Sequence, residues 1–200
     1  MPAPALLFID FQQGFDDPSW GNRNNPAAES VAASLLADWR ARGWPVLHAR
    51  HDSVSPRSTL RPGQPGNDIK AALRPAGGEP LFPKTVNSAF IGTGLEAELR
   101  RRGVEELVIA GLTTDHCVST TTRMAANLGF RVWLVEDACA TFGRRGYDGR
   151  DYTADEIHRV ALVSLQGEFA EVVTAAALEE RLGAASPSRP EAPGGGSPLP

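Results

Sequence analysis

Short apolar runs alternate with amphipathic segments along most of this chain. Apolar positions three and four residues apart predict helices over residues 27–42, 95–102, 119–128, 154–166 and 175–182. Near-continuous apolar runs bounded by turn residues predict buried strands over residues 5–9, 45–49, 80–82, 107–110, 132–135 and 169–173. Strands and helices that alternate in this order form parallel sheets whose strands are joined by helical crossovers.

The apolar strands define the expected fold class more closely. Strands that are apolar along their whole length are covered by helices on both faces of the sheet. We therefore expect an α/β fold, with a doubly wound, Rossmann-like and mostly parallel six-stranded sheet and helices on both faces. Such sheets bind ligands beyond the carboxyl ends of their strands.

The same pattern divides the chain into a domain and a tail. We expect one domain over residues 1–183 and a flexible tail over 184–200, which is rich in Pro, Gly and Ser and has no apolar periodicity. Residues 53–67 are also rich in Pro, Gly and Ser and predict a long loop. Loops of that length inside a compact domain often carry function.

Composition excludes several classes of partner. The formal net charge of −4 offers no basic surface for nucleic acid. The N-terminal residues lack the basic and apolar regions of a signal peptide, and no apolar run approaches the roughly 18 residues that span a membrane. The two cysteines, Cys117 and Cys139, have neither metal-site spacing nor a disulfide framework. We expect a cytoplasmic protein with a small-molecule partner and no nucleic-acid or membrane partner.

Cys117 lies at a position that favours thiol chemistry. The segment 110–118, AGLTTDHCV, follows a predicted strand and opens a predicted helix. Free backbone N–H groups and the helix dipole stabilise negative charge in a first helical turn, so a thiol there tends towards thiolate, the nucleophilic form. The alternative is a small buried side chain, which is a common fate of a single cysteine.

Three ionisable residues follow predicted strands. Asp10 follows the first strand, Lys84 the third and Cys117 the fourth, and a doubly wound sheet brings those strand ends to one edge. Each residue also has a structural alternative: a turn cap for the acid, a solvated surface position for the lysine and a core position for the cysteine. Their coincidence at one edge favours a common site.

The residues around these positions resemble a known family. The segments FIDFQ (8–12), KTVNSAF (84–90), GLTTDHCV (111–118) and VEDACATF (135–142) are similar to motifs of the isochorismatase-like cysteine hydrolases. That superfamily includes nicotinamidases, N-carbamoylsarcosine amidases and isochorismatases. By these landmarks the resemblance covers residues 4–182.

The resemblance implies a catalytic triad of Asp10, Lys84 and Cys117. In that triad Cys117 attacks a carbonyl carbon, Asp10 acts as general base and then acid, and Lys84 favours the thiolate. The helix start suggests the backbone N–H of Cys117 as an oxyanion donor, and the resemblance adds that of Thr113. It also implies a cis peptide bond between Leu112 and Thr113, no cofactor, and assembly into homo-oligomers.

The histidines of the second strand argue against a metal site. Metal-binding nicotinamidases carry an Asp followed by two closely spaced histidines after this strand. Here His48 and His51 precede Asp52, and their spacing of three on a strand directs them to opposite faces. We therefore expect no bound metal, and a structural role for His51 is favoured over a place in the pocket.

The substrate and the reaction class stay open at the level of sequence. The favoured function is a metal-independent hydrolase that cleaves a C–N bond of a small amide, carbamoyl or ureido compound through a thioester. The alternatives are a vinyl-ether hydrolase of the isochorismatase kind, or a non-catalytic binding domain with a redox-sensitive thiol. Candidate pocket residues near the motifs are Phe15, Trp20, Asn87, Phe90, His116 and Phe142.

Overall fold

The computed structural model of the protein describes residues 2–184. The strands are β1 (Ala5–Ile9), β2 (Val46–His51), β3 (Leu81–Lys84), β4 (Glu106–Leu112), β5 (Arg131–Ala140), β6 (Arg144–Arg145), β7 (Asp151–Tyr152) and β8 (Glu171–Val173). The helices are α1 (Ala28–Arg42), α2 (Leu95–Arg101), α3 (Ser119–Asn127), α4 (Ala154–Leu165) and α5 (Ala175–Ala184). The tail predicted for 184–200 lies, from residue 185 on, outside the described residues.

The main sheet confirms the predicted fold class. Within residues 2–184 it has six strands in the order β3-β2-β1-β4-β5-β8, and the neighbouring strands are parallel. The chain runs outwards from β1 to β3 and then returns to β4 on the other side of β1. The switch point therefore lies between β1 and β4, where a doubly wound sheet opens a crevice for ligands.

Helices cover both faces of the sheet and create two core layers. One layer packs α1 and α5 on the sheet through buried residues such as Leu35, Trp39 and Leu178. The other packs α2, α3 and α4 through residues such as Leu99 and Ala125. Burial on both faces explains why the strands are apolar runs rather than alternating ones.

Three local features differ from the prediction. β5 continues to Ala140, with a shift in its pairing to β4 between Ile109 and Gly111. The short antiparallel pair of β6 and β7 was not predicted, because its strands are two residues long and mostly charged. The residues before α3 form a π-helical turn, Thr114–Val118, instead of the first turn of an α-helix.

No helix in residues 2–184 is long and apolar enough to cross a bilayer.

A glycine permits the close approach of the two central strands. Gly111 pairs with Ile9 and has a φ of 151°, a conformation that side chains rarely adopt. A Cβ at this position would lie 2.2 Å from the carbonyl oxygen of Ile9. Because Ile9 directly precedes Asp10, the close contact at Gly111 also determines the position of the Asp10 carboxylate at the end of β1.

Replacing this glycine is predicted to destabilise the fold. Gly111→Ala forces the backbone of β1 and β4 apart, so we expect a loss of about 2–3 kcal/mol in the free energy of unfolding. Urea unfolding followed by circular dichroism measures it. Gly77→Ala is the matched control, because Gly77 is exposed and a Cβ there meets no atom within 4 Å. Equal stability of the two variants would contradict the close-approach argument.

Candidate active site

The structure brings Asp10, Lys84 and Cys117 together at the carboxyl edge of the sheet. Lys84 Nζ donates to Asp10 Oδ2 at 2.7 Å and to Cys117 Sγ at 3.3 Å. All three residues are buried, with exposed fractions of 0%, 2% and 8% for Asp10, Lys84 and Cys117. The predicted triad residues therefore form one contiguous cluster, with the ammonium between the carboxylate and the sulfur.

Local backbone geometry sets each of these side chains in place. Asp10 comes directly after β1 and has a φ of 53°; its N–H donates to the carbonyl of Ala49 at 3.0 Å. Lys84 is the last residue of β3, where it pairs with His51 of β2. Cys117 lies in the π-helical turn that follows β4. Three parallel strands thus end at the site.

The carboxyl group of Asp10 is arranged as a proton acceptor. Burial raises its pKa above the ordinary value, and the Lys84 ammonium acts in the opposite direction. Oδ2 is held by Lys84, whereas the buried Oδ1 has no hydrogen-bond partner within residues 2–184. One oxygen therefore anchors the carboxylate and the other is available to take a proton.

The thiol of Cys117 differs from the prediction. Burial and the negative charge of Asp10 raise the pKa of the Cys117 thiol to about 12, although Lys84 pulls it down. The expected tendency towards thiolate is therefore wrong, because burial and the nearby carboxylate outweigh the ammonium. Formation of a thiolate therefore needs a nearby proton acceptor, and the carboxylate of Asp10 lies within 4.8 Å of the sulfur.

The cis peptide bond expected from the family resemblance, Leu112–Thr113, lies directly before the turn that carries Cys117. The carbonyl of Thr113 accepts hydrogen bonds from the N–H groups of His116, at 3.1 Å, and Val118, at 3.2 Å. The N–H of Cys117, which lies between them in sequence, does not donate to this carbonyl. The roles of the Thr113 and Cys117 N–H groups as oxyanion donors stay predictions.

His51 lies in the triad cluster, contrary to the structural role favoured from the sequence. Its Nδ1 is 3.3 Å from Lys84 Nζ. His48 lies on the other face of β2, where its Nε2 is 3.1 Å from Glu79 Oε2, so the prediction of opposite faces is confirmed. The sequence argument failed because β2 continues to residue 51, which carries this ring to the carboxyl edge beside β3.

The cluster contains atoms that can bind a metal ion, but the ammonium group of Lys84 already lies among them. The ligand atoms of Asp10, His51 and Cys117 lie within 4.8 Å of one another, and carboxylate, imidazole and thiolate are ligands of zinc. Lys84 Nζ, however, lies within 3.3 Å of an atom of each of these three residues. A resident metal ion would have to displace this buried ammonium, so these residues do not fit one.

Three of the predicted pocket residues form an aromatic group. The rings of Phe15, Trp20 and Phe142 pack with centroids 4.9–6.1 Å apart. Trp20 is half-buried, and its Nε1 donates to the carbonyl of Gly14 at 2.9 Å and to Thr59 Oγ1 at 3.1 Å. The group thus ties the turn after β1 to the 53–67 loop. Its contact with substrate stays a prediction.

The other three pocket candidates lie apart from that group. Phe90 stacks on Phe130 with ring centroids 6.1 Å apart and packs on the core layer of α2, α3 and α4. Its contact with substrate stays a prediction. Asn87 is exposed, and its backbone carbonyl accepts from Thr121 Oγ1 at 3.5 Å. His116 is half-exposed, with Nε2 2.7 Å from an Nη atom of Arg144.

Sequence reasoning missed two buried amides next to the site. Gln12 and Asn67 are almost fully buried, and both donate to the backbone carbonyl of His51, at 3.0 and 3.1 Å. Gln12 belongs to the FIDFQ segment, two residues after Asp10, so its place in a motif could have indicated it. Asn67 carried no such indication, because it ends a loop whose conformation the sequence did not predict.

Comparison with known proteins assigns this fold to one family. The family model for the isochorismatase domain matches residues 4–177. The chain belongs to the isochorismatase family, which the sequence resemblance had indicated.

Two relatives and one solved structure illustrate the similarity. The isochorismatase family protein YrdC of Bacillus subtilis is 46% identical over 170 residues, which cover 85% of this chain and 91% of that protein. Maleamate amidohydrolase of Pseudomonas putida is 30% identical over 188 residues, covering 86% and 83%. An isochorismatase-family crystal structure from Chromobacterium violaceum has a TM-score of 0.88 at 53% identity, covering 91% of this chain and 94% of that chain.

Charge changes around the thiol are predicted to shift its reactivity in opposite directions. Lys84→Met removes the positive charge and slows labelling of Cys117 by iodoacetamide at pH 8 by about tenfold or more. Asp10→Asn removes the negative charge and speeds it by a similar factor. The rates are measured by mass spectrometry across a pH series, without substrate.

Cys117→Ala is the control that assigns the label, since Cys139 is fully buried and is expected to react slowly. Unchanged rates in both charge variants, or shifts in the same direction, would contradict the electrostatic description of the site.

Proposed function

We propose that this protein is a metal-independent cysteine hydrolase that cleaves a C–N bond of a small amide, carbamoyl or ureido compound through a thioester. The observation that carries the proposal is the position of Lys84 Nζ, 2.7 Å from Asp10 Oδ2 and 3.3 Å from Cys117 Sγ in a buried cluster. That arrangement supplies a nucleophile, a base next to it and a fixed positive charge.

Acylation begins with transfer of the thiol proton. Asp10 Oδ1, which has no hydrogen-bond partner among the described residues, takes the proton while Sγ of Cys117 attacks the substrate carbonyl carbon. The carbonyl oxygen becomes an oxyanion, and in this proposal it accepts hydrogen bonds from the backbone N–H groups of Thr113 and Cys117. The tetrahedral intermediate then collapses: the C–N bond breaks, and protonated Asp10 gives its proton to the leaving nitrogen.

Deacylation reverses these roles with water as the nucleophile. Asp10, again a carboxylate, takes a proton from water as the oxygen attacks the thioester carbon. The second tetrahedral intermediate expels the sulfur as thiolate, which recovers its proton from Asp10. Lys84 keeps its charge throughout and stabilises first the carboxylate and then the thiolate.

The family comparison supports chemistry at a C–N bond. Maleamate amidohydrolase, 30% identical to this chain, is named for hydrolysis of an amide. We extend that class to this protein because the nucleophile, the acid–base group and the lysine are all present. A small-molecule substrate, the absence of a cofactor, assembly into homo-oligomers and a cytoplasmic location are parts of the same proposal.

Removing the nucleophile is predicted to abolish hydrolysis. Ammonia release from a panel of small primary amides, carbamoyl compounds and ureas identifies the substrate, with a chelator in every buffer. Cys117→Ala then lowers kcat/KM by at least about 10³-fold, because no other group forms the thioester. The fold is retained, since a small side chain fits the turn.

Cys139→Ala is the matched control and leaves turnover close to wild type. Turnover by Cys117→Ala within a few-fold of wild type would reject the thioester and favour the vinyl-ether reaction. A requirement for added divalent metal would reject metal independence. Release of ammonia from none of the compounds, together with rapid oxidation of the thiol, would favour the non-catalytic alternative.

A further inference from the structure

The Lys84 ammonium has more hydrogen-bond acceptors than protons. Within the described part of the chain, its Nζ lies 2.7 Å from Asp10 Oδ2, 3.2 Å from the carbonyl of Val86, 3.3 Å from Cys117 Sγ and 3.3 Å from His51 Nδ1. An ammonium has three N–H bonds. A protonated thiol is a weak acceptor, so in the resting site His51 competes well for the third one.

Two buried amides fix the backbone of His51. The N–H of His51 donates to Gln12 Oε1 at 2.8 Å, and its carbonyl accepts from Gln12 Nε2 at 3.0 Å and from Asn67 Nδ2 at 3.1 Å. Gln12 Nε2 also donates to the carbonyl of Asn67 at 3.0 Å. Buried amides need partners, and Asn67 Nδ2 also donates to Asp52 Oδ1 at 3.0 Å and to the carbonyl of Leu60 at 2.9 Å. The hydrogen bonds from Gln12 and Asn67 therefore hold the backbone that carries the imidazole of His51 beside Lys84.

The charges around the ring favour its neutral form. Burial and the positive charge of Lys84 lower the pKa of His51, while Asp10, Asp52 and the carbonyl of Val86 raise it; the net shift is downwards from 6.5. The ring is therefore neutral at neutral pH. When Nδ1 accepts from Lys84, the ring proton resides on Nε2.

We propose that His51 is a positioning residue of the triad, which accepts a hydrogen bond from Lys84 Nζ and so holds the ammonium between Asp10 Oδ2 and Cys117 Sγ. This inference rests on the proposed function. During thiol deprotonation the carboxylate loses its charge and the sulfur gains one. His51 and the Val86 carbonyl are the acceptors whose charge does not change, so they keep the ammonium in place while the proton moves from Cys117 to Asp10.

The test is a double-mutant cycle read by iodoacetamide labelling of Cys117 at pH 8. His51→Leu removes the acceptor and lets the ammonium turn away from the sulfur, so we expect labelling to slow by roughly tenfold. In a Lys84→Met background the same substitution has no further effect, because His51 acts through Lys84. His51→Asn keeps an acceptor oxygen near the Nδ1 position and restores the wild-type rate.

His48→Leu is the matched control on the same strand, since His48 contacts Glu79 instead of the triad. Thermal unfolding checks each variant, and His51→Ala replaces His51→Leu if the latter does not fold. An unchanged or faster rate in His51→Leu, or an equal slowing in both backgrounds, would overturn the proposal.

The labelling requires no substrate, so it gives a result even if the proposed amide hydrolysis fails. With a substrate in hand, the positioning role predicts that His51→Leu lowers kcat by about 10- to 100-fold while KM stays close to wild type. A change confined to KM would instead assign His51 to substrate binding and overturn the proposal.

Discussion

The buried ion pair between Lys84 and Asp10 is the interaction on which the site depends. Both side chains are fully buried, and each charge alone would cost several kcal/mol at that depth. The pair is possible because the sheet places the ends of β1 and β3 on one side of the switch point. The narrow approach of β1 to β4 at Gly111 then brings the turn with Cys117 to the same place.

This pair also bears on the charges in the proposed mechanism. There the cluster starts with one carboxylate, one ammonium, a neutral thiol and a neutral imidazole, so its net charge is close to zero. Transfer of the thiol proton to Asp10 changes which atom is negative but leaves that sum unchanged. The buried site can therefore generate its nucleophile without bringing a new charge into a low-dielectric environment, which would be costly.

The sequence predicted those parts that follow from topology. Alternating apolar runs predict the order of strands and helices, and residues that follow parallel strands meet at one edge, so the clustering of Asp10, Lys84 and Cys117 could be predicted from their positions. The pKa of the Cys117 thiol could not be found, because it depends on burial and on the distance to Asp10. Strand alternation indicated the face of His51 but not that β2 reaches the carboxyl edge. The contact between Phe90 and Phe130 could not be found either, because the two rings are forty residues apart in sequence.

The central claim is that turnover passes through an acyl group on Cys117, and nucleophile partitioning tests it most directly. Substrates that share an acyl group but differ in their leaving amines are hydrolysed in the presence of hydroxylamine, and the ratio of hydroxamic acid to carboxylic acid is measured. A common thioester predicts the same ratio for every leaving group, because each product forms after the amine has departed. A ratio that varies with the leaving group, or turnover that yields no hydroxamic acid, would contradict the account.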